Sequence, residues 1–206
     1  MATPEYVAIT GAVEGDVDEA VIRCVIEHVD AKTLAIYGRN GKSHLHRRLP
    51  SYNQAARFSP WIVLVDLDLD AECAPPFRES WLPKPADNMC FRVAVRAVES
   101  WLMADKERFA RFLAVDIARI PREVEAVVHP KIAVVELAKR SRKREIREDM
   151  APRAASGRVV GPAYTARLIE FILDSKIGWR PDVAAENSQS LKRCLRCLRR
   201  IKANST

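Results

Sequence analysis

Apolar positions along the chain form runs of two kinds, and their alternation predicts the fold class. Tyr6 to Val13 (YVAITGAV), Lys32 to Tyr37 (KTLAIY), Trp61 to Val65 (WIVLV) and Phe91 to Val95 (FRVAV) are short and rich in β-formers. They read as strands. The Trp61 run has no polar interruption, the pattern of a strand buried on both faces in a parallel sheet covered by helices. Between strands the period changes. Val17, Val21, Ile22, Val25, Ile26 and Val29 recur at helical spacing, with Asp16 or Asp18 placed as a cap and Gly15 allowing a tight turn. Leu45 to Phe58 reads as helix broken at Pro50, and the proline-rich Cys73 to Asn88 as a long irregular loop.

Beyond the fourth strand only helical patterns follow. They cover Val98 to Asp105, Asp105 to Val115, a short piece opened by Pro121, and Pro130 to about Arg144. Two more run from Tyr164 to about Ser175 and through the terminal stretch, with Leu191, Cys194, Leu195, Leu198 and Ile201 inward. The expected architecture is an α/β core over residues 1–105, a mostly parallel sheet flanked by helices. A basic helical extension over 106–206 is expected to pack on it, since no flexible linker stands near residue 105.

Where three of these strands end, acids appear. Glu14 follows the first, Asp66, Asp68 and Asp70 follow the third, and Glu99 follows the fourth. Ligands of open α/β sheets bind just beyond the carboxyl ends of the strands. In an extended chain the three aspartates would point to one side, where their repulsion calls for a cation, and Mg²⁺ or Mn²⁺ prefers carboxylate oxygens. An acidic strand end entering a solvated loop is the plainer alternative. Each acid is a weak signal alone, and the joint pattern is a stronger one.

Charge adds a partner class. The net charge is +7, but residues 1–100 carry −3 and residues 101–206 carry +10. An acidic half beside a basic one suits a metal site acting on a polyanion, nucleic acid (DNA foremost) being the obvious case. Arg96, Lys131, Lys139, Arg140, Arg142, Lys143, Arg193 and Arg196 are the candidate contacts, with ordinary helix-end charge as the alternative. Gly38 to Ser43 lacks the first glycine of a phosphate loop, since Ile36 stands there, and reads as a glycine turn with Ser43 as a helix cap. Cys194 and Cys197 form a lone CxxC without two further zinc ligands at matching spacing. Five cysteines, no signal peptide and no apolar run of about 18 residues predict reduced thiols, a cytoplasmic setting and no membrane span.

The succession of strand, Glu14-Gly15, helix, and later strand, Asp66-Leu67-Asp68 resembles the TOPRIM fold of topoisomerases, primases and OLD-type nucleases. More closely, Val13-Glu14-Gly15, Val65 to Asp68 and Arg96 to Asp105 resemble the DUF4276 group of bacterial TOPRIM-like proteins. So do Pro130-Lys131, Ala138 to Arg142 and Gly161 to Thr165, with Glu99-Ser100-Trp101-Leu102 the most specific segment. The resemblance implies carboxylates at Glu14, Asp66, Asp68 and Glu99 acting through Mg²⁺ or Mn²⁺ in phosphodiester hydrolysis, with Asp70 a further ligand or a turn cap. Arg96 or Lys131 would offset charge on the phosphorus. It also implies a separate ATPase partner in a bacterial defence system, because this chain has no Walker motif. Two rivals remain: a haloacid-dehalogenase-type phosphatase using Asp66 as nucleophile, and a catalytically silent adaptor that binds nucleic acid or the ATPase.

Overall fold

The computed structural model describes residues 6–204. Four strands, β1 (Ala8–Val13), β2 (Lys32–Gly38), β3 (Trp61–Asp66) and β4 (Met89–Ala94), form one sheet in the order β2-β1-β3-β4. All neighbouring pairs are parallel, so the chain forms the expected α/β parallel sheet. Helices α1 (Asp16–His28), α2 (Lys42–Ala55) and α3 (Ala74–Trp81) connect the strands. After β4 come α4 (Val98–Ala104), α5 (Lys106–Leu113), α6 (Pro130–Lys139), α7 (Arg144–Met150), α8 (Tyr164–Leu173), α9 (Pro181–Asn187) and α10 (Gln189–Ala203). Short 3-10 turns occupy Ile117–Arg119 and Val124–Ala126.

The pleat explains why Trp61 to Val65 is apolar throughout. Ile62 and Leu64 face a cluster with α1 and the helices from α4 onward. Trp61, Val63 and Val65 face the other way, against Leu45, Leu49 and Tyr52 of α2 and Phe77 of α3. Side chains alternate across a strand, so burial on both faces requires both parities to be apolar. The chain moves from β1 outward to β2 and then back across to β3. The winding therefore reverses between β1 and β3, which is where a crevice opens at the carboxyl edge.

The later helices are tied to the sheet by buried polar contacts. Trp101 Nε1 donates to Ser190 Oγ (2.6 Å), and Trp179 Nε1 donates to the Trp101 carbonyl (3.0 Å). Asp105, fully buried, accepts from Arg180 through two side-chain bonds (2.7 and 3.0 Å). Cys90, Cys194 and Cys197 are free thiols buried where α10 packs on β4. Burial pushes the Cys90 thiol up to about 12. Among the described residues no helix is long and apolar enough to cross a membrane.

Several local expectations are corrected. Proline does not break α2, which runs through Pro50, and its N-cap is Gly41 (φ 78) rather than Ser43. The proline-rich loop contains α3, because proline fits the first helical turn, where no N–H is required. Pro121 opens no helix; the short turns lie on either side of it. The helix expected to reach Arg144 stops at Lys139. Ser141 lies buried in the following turn, its Oγ accepting from the Lys143 N–H (3.0 Å), and α7 starts at Arg144.

Candidate active site

Glu14 leaves β1 and Asp66 ends β3, so the winding reversal sets them side by side. The Asp66 N–H donates to Glu14 Oε1 (2.8 Å), and Asp66 Oδ1 accepts from the Val98 N–H (3.0 Å) at the start of α4. The next residue, Glu99, is 3% exposed. The Tyr164 hydroxyl of α8 donates to Glu99 Oε1 (3.2 Å), and the exposed Lys131 ammonium of α6 lies 4.0 Å from the same oxygen. Asp18, on the first turn of α1, is 7% exposed, and its Oδ1 has no hydrogen-bond partner. Asp18, Asp66 and Glu99 border a cavity of about 210 Å³, with Lys131, Tyr164 and Thr165 on its other walls.

Two glycines shape this edge. Gly15 is extended (φ −149) rather than in a tight turn; what it supplies is room, because a Cβ there would lie 3.2 Å from Asp18 Oδ2. Gly38 ends β2 at φ +96 with its Cα against the Val13 carbonyl, where any side chain would collide.

Four carboxylates with little compensating charge have predictable electrostatics. Burial, then Glu14 and Glu99, pushes the Asp18 carboxyl up to about 7. Burial, then Asp18, Glu99 and Glu14, raises Asp66 well above the ordinary carboxylate range. Glu14 is raised by burial against the opposing pull of the Asp66 N–H and Lys42. Burial and the adjacent Glu99 carboxylate raise Tyr164, keeping its hydroxyl protonated and donating.

Asp68 and Asp70 stand apart from this group. The strand stops at Asp66, and Asp68 adopts a left-handed conformation (φ 48), so the three aspartates do not line one side as an extended chain would have them. Lys42 of α2 holds both exposed carboxylates, at 2.5 Å to Asp68 and 2.8 Å to Asp70. Arg96 is also occupied: its guanidinium donates to the carbonyls of Asp68 (3.1 Å), Ala71 (2.7 Å) and Glu72 (3.2 Å), pinning the loop after β3.

Of the other basic candidates, Lys131 lies at the rim of the acidic cavity. Lys139 pairs with Glu136 (2.6 Å), and Arg140, Arg142 and Lys143 are exposed in the α6–α7 turn. Arg193 and Arg196 are exposed on α10, away from that turn in sequence. The residue missed by sequence reasoning is Asp18. A first-turn acid reads as a cap, yet Asp18 falls on the stripe of Val21, Ile22 and Val25, and a charge on an apolar stripe is the signal that marks it.

Among the described residues no group of three or more His, Cys, Asp or Glu side chains is arranged to hold a metal ion. The donor chemistry nonetheless fits a hard cation, with clustered carboxylate oxygens and an orphaned Asp18 Oδ1. Mg²⁺ keeps several waters and needs only one or two carboxylates, so it does not require a closed protein cage. Compared with protein-family models, curated proteins and solved structures, the chain matches none.

Proposed function

We propose that this protein is a divalent-metal-dependent phosphodiesterase acting on nucleic acid, with Asp18, Asp66 and Glu99 at the metal site and Glu14 beside them. One observation carries the reading: carboxylates buried together at the carboxyl edge, two of them held by Val98 N–H and Tyr164 O–H, and one left with an orphaned oxygen. Such a group is costly unless a cation or protons offset it. Bound Mg²⁺ or Mn²⁺ would supply charge stabilisation and an acidified water. The chain's own part is to hold the acceptors. Tyr164 orients Glu99, the Val98 N–H orients Asp66, and Glu14 fixes the end of β3. Lys131 offers a cation at the mouth of the cavity. The α6–α7 turn stands roughly 13 Å farther along α6, at 1.5 Å per residue, where its arginines can grip a backbone without regard to sequence.

The motif resemblance supports, within the same proposal, a TOPRIM-like nuclease of the bacterial cytoplasm, a subunit serving a separate ATPase in defence. A second reading, an adaptor that binds nucleic acid or the ATPase without cutting, is favoured by the lack of a preset metal cage among the described residues. Supercoiled plasmid incubated with Mn²⁺ or Mg²⁺ tests the first reading, beside calorimetric titration of each metal. Cleavage that requires metal and is lost in Asp66→Ala is the expected result. Nucleic-acid binding with neither metal uptake nor cleavage would establish the adaptor instead.

A further inference from the structure

A second and larger opening, about 370 Å³, lies apart from the acidic cavity, between α3, the end of β4 and the start of α10. Three arginines from three elements line it: Arg78, Arg92 and Arg193. Among the described residues no carboxylate pairs with any of them, and the Nε atoms of Arg78 and Arg92 are buried without an acceptor. The groups Arg92 feels most are the thiols of Cys90 and Cys197, which are weak acceptors. Glu125 also lines the opening, but its Oε1 already accepts from Ser188 Oγ (2.6 Å), Ser190 N–H (2.8 Å) and Ser190 Oγ (2.6 Å). Glu72, the other acid at the rim, is exposed.

A guanidinium presents its N–H groups as a planar fork that suits anions with two or more oxygens. Three such forks around one concavity, two of them with a buried Nε that has no acceptor and none paired with a carboxylate among the described residues, are complementary to a single compact polyanion. The volume exceeds what a bare oxyanion fills and lies in the range of small-molecule sites. Val93 and Val95 add an apolar wall. We propose that this groove binds a phosphate monoester carried on an organic group of nucleotide size, the three arginines holding the phosphate and the valine wall the remainder. No acid of the candidate active site takes part, so the groove and the metal site stand or fall separately.

Calorimetric titration in EDTA, with 0.15 M chloride, tests this. The probes are adenosine 5′-monophosphate and a short single-stranded oligonucleotide with and without a 5′-phosphate. Arg78→Gln and Arg193→Gln are the test variants; Arg92 is spared because it packs beside buried thiols. Arg57→Gln removes the same charge from an exposed position elsewhere. The expected result is binding that weakens about tenfold in both test variants, stays unchanged in Arg57→Gln and in Asp66→Asn, and needs the phosphate. Binding of the mononucleotide identifies a free ligand; binding of the phosphorylated strand alone identifies a strand end. Absence of binding by every probe overturns the proposal. So does binding that survives both test variants, or that falls equally in Arg57→Gln and so reflects net charge alone.

Discussion

Two groups of acids share one sheet edge, meeting in the chain at Asp66 and Asp68, and the fold treats them in opposite ways. Asp68 and Asp70 are exposed and share one lysine, so their charges are screened by water and half offset by Lys42. Asp18, Asp66 and Glu99 line a cavity with Glu14 alongside; among the described residues the one cation paired with a cavity acid is Lys131, 4.0 Å from Glu99, while Lys42 is bonded to the exposed pair and reaches Glu14 only at a distance. A paired, hydrated carboxylate has little left to offer a ligand. A buried, underpaired one holds electrostatic energy that a cation or a proton can release. Chemistry is therefore to be sought where compensation is missing, not where acids are densest in the sequence.

The largest expected difference between the two groups is catalytic. Asp66→Asn should lower metal-dependent cleavage by about 100-fold or more, while Asp70→Asn should change it by less than about threefold, read as initial rates of plasmid nicking. The reverse order would make the exposed pair the metal site.

The next difference is in stability against pH, measured in EDTA by denaturant unfolding. Folded Asp18 keeps its proton up to about 7, whereas the unfolded chain releases it near 3.8. Between these values the folded state binds more protons, so this group's contribution falls as pH rises from about 4 to about 7 and stays low above. Asp66 and Glu14, both raised, act in the same direction. Asp18→Asn should match the wild type at pH 4 and exceed it at pH 8, and added Mn²⁺ should narrow the gap at pH 8. A gap that does not vary with pH would mean that Asp18 is not held protonated.

Smaller effects sharpen the contrast. Tyr164→Phe removes a hydroxyl donor to Glu99 and should cost about 1 kcal/mol of stability, with weaker metal affinity in the same titration. Lys42→Met, which frees the exposed pair, should cost less than about 1 kcal/mol because water screens it. A larger loss for Lys42→Met than for Tyr164→Phe would erase the distinction between the groups.

Much of this arrangement is legible in the chain, for reasons that can be named. The strands announce themselves because both parities of Trp61 to Val65 are buried, and strand ends then locate Glu14, Asp66 and Glu99 without side-chain detail. Period-two reasoning fails for Asp68 and Asp70 because it assumes a strand continuing past Asp66, whereas the backbone turns left-handed at Asp68. Asp18 escapes because a helix start makes any acid look like a cap. The loop-pinning contacts of Arg96 are not legible, because the loop carbonyls that accept from it carry no sequence signal.

The hydrogen bond from Tyr164 to Glu99 joins residues 65 apart in the chain. Its consequence is temporal. All four clustered acids emerge from the ribosome before the helix that walls them in, so the nascent sheet carries them in open water, where their repulsion is slight. Their repulsion grows only when α8 packs against them and withdraws them from solvent. A chain stopped before α8 carries all four acids but lacks Tyr164 and Thr165, the wall that closes over them.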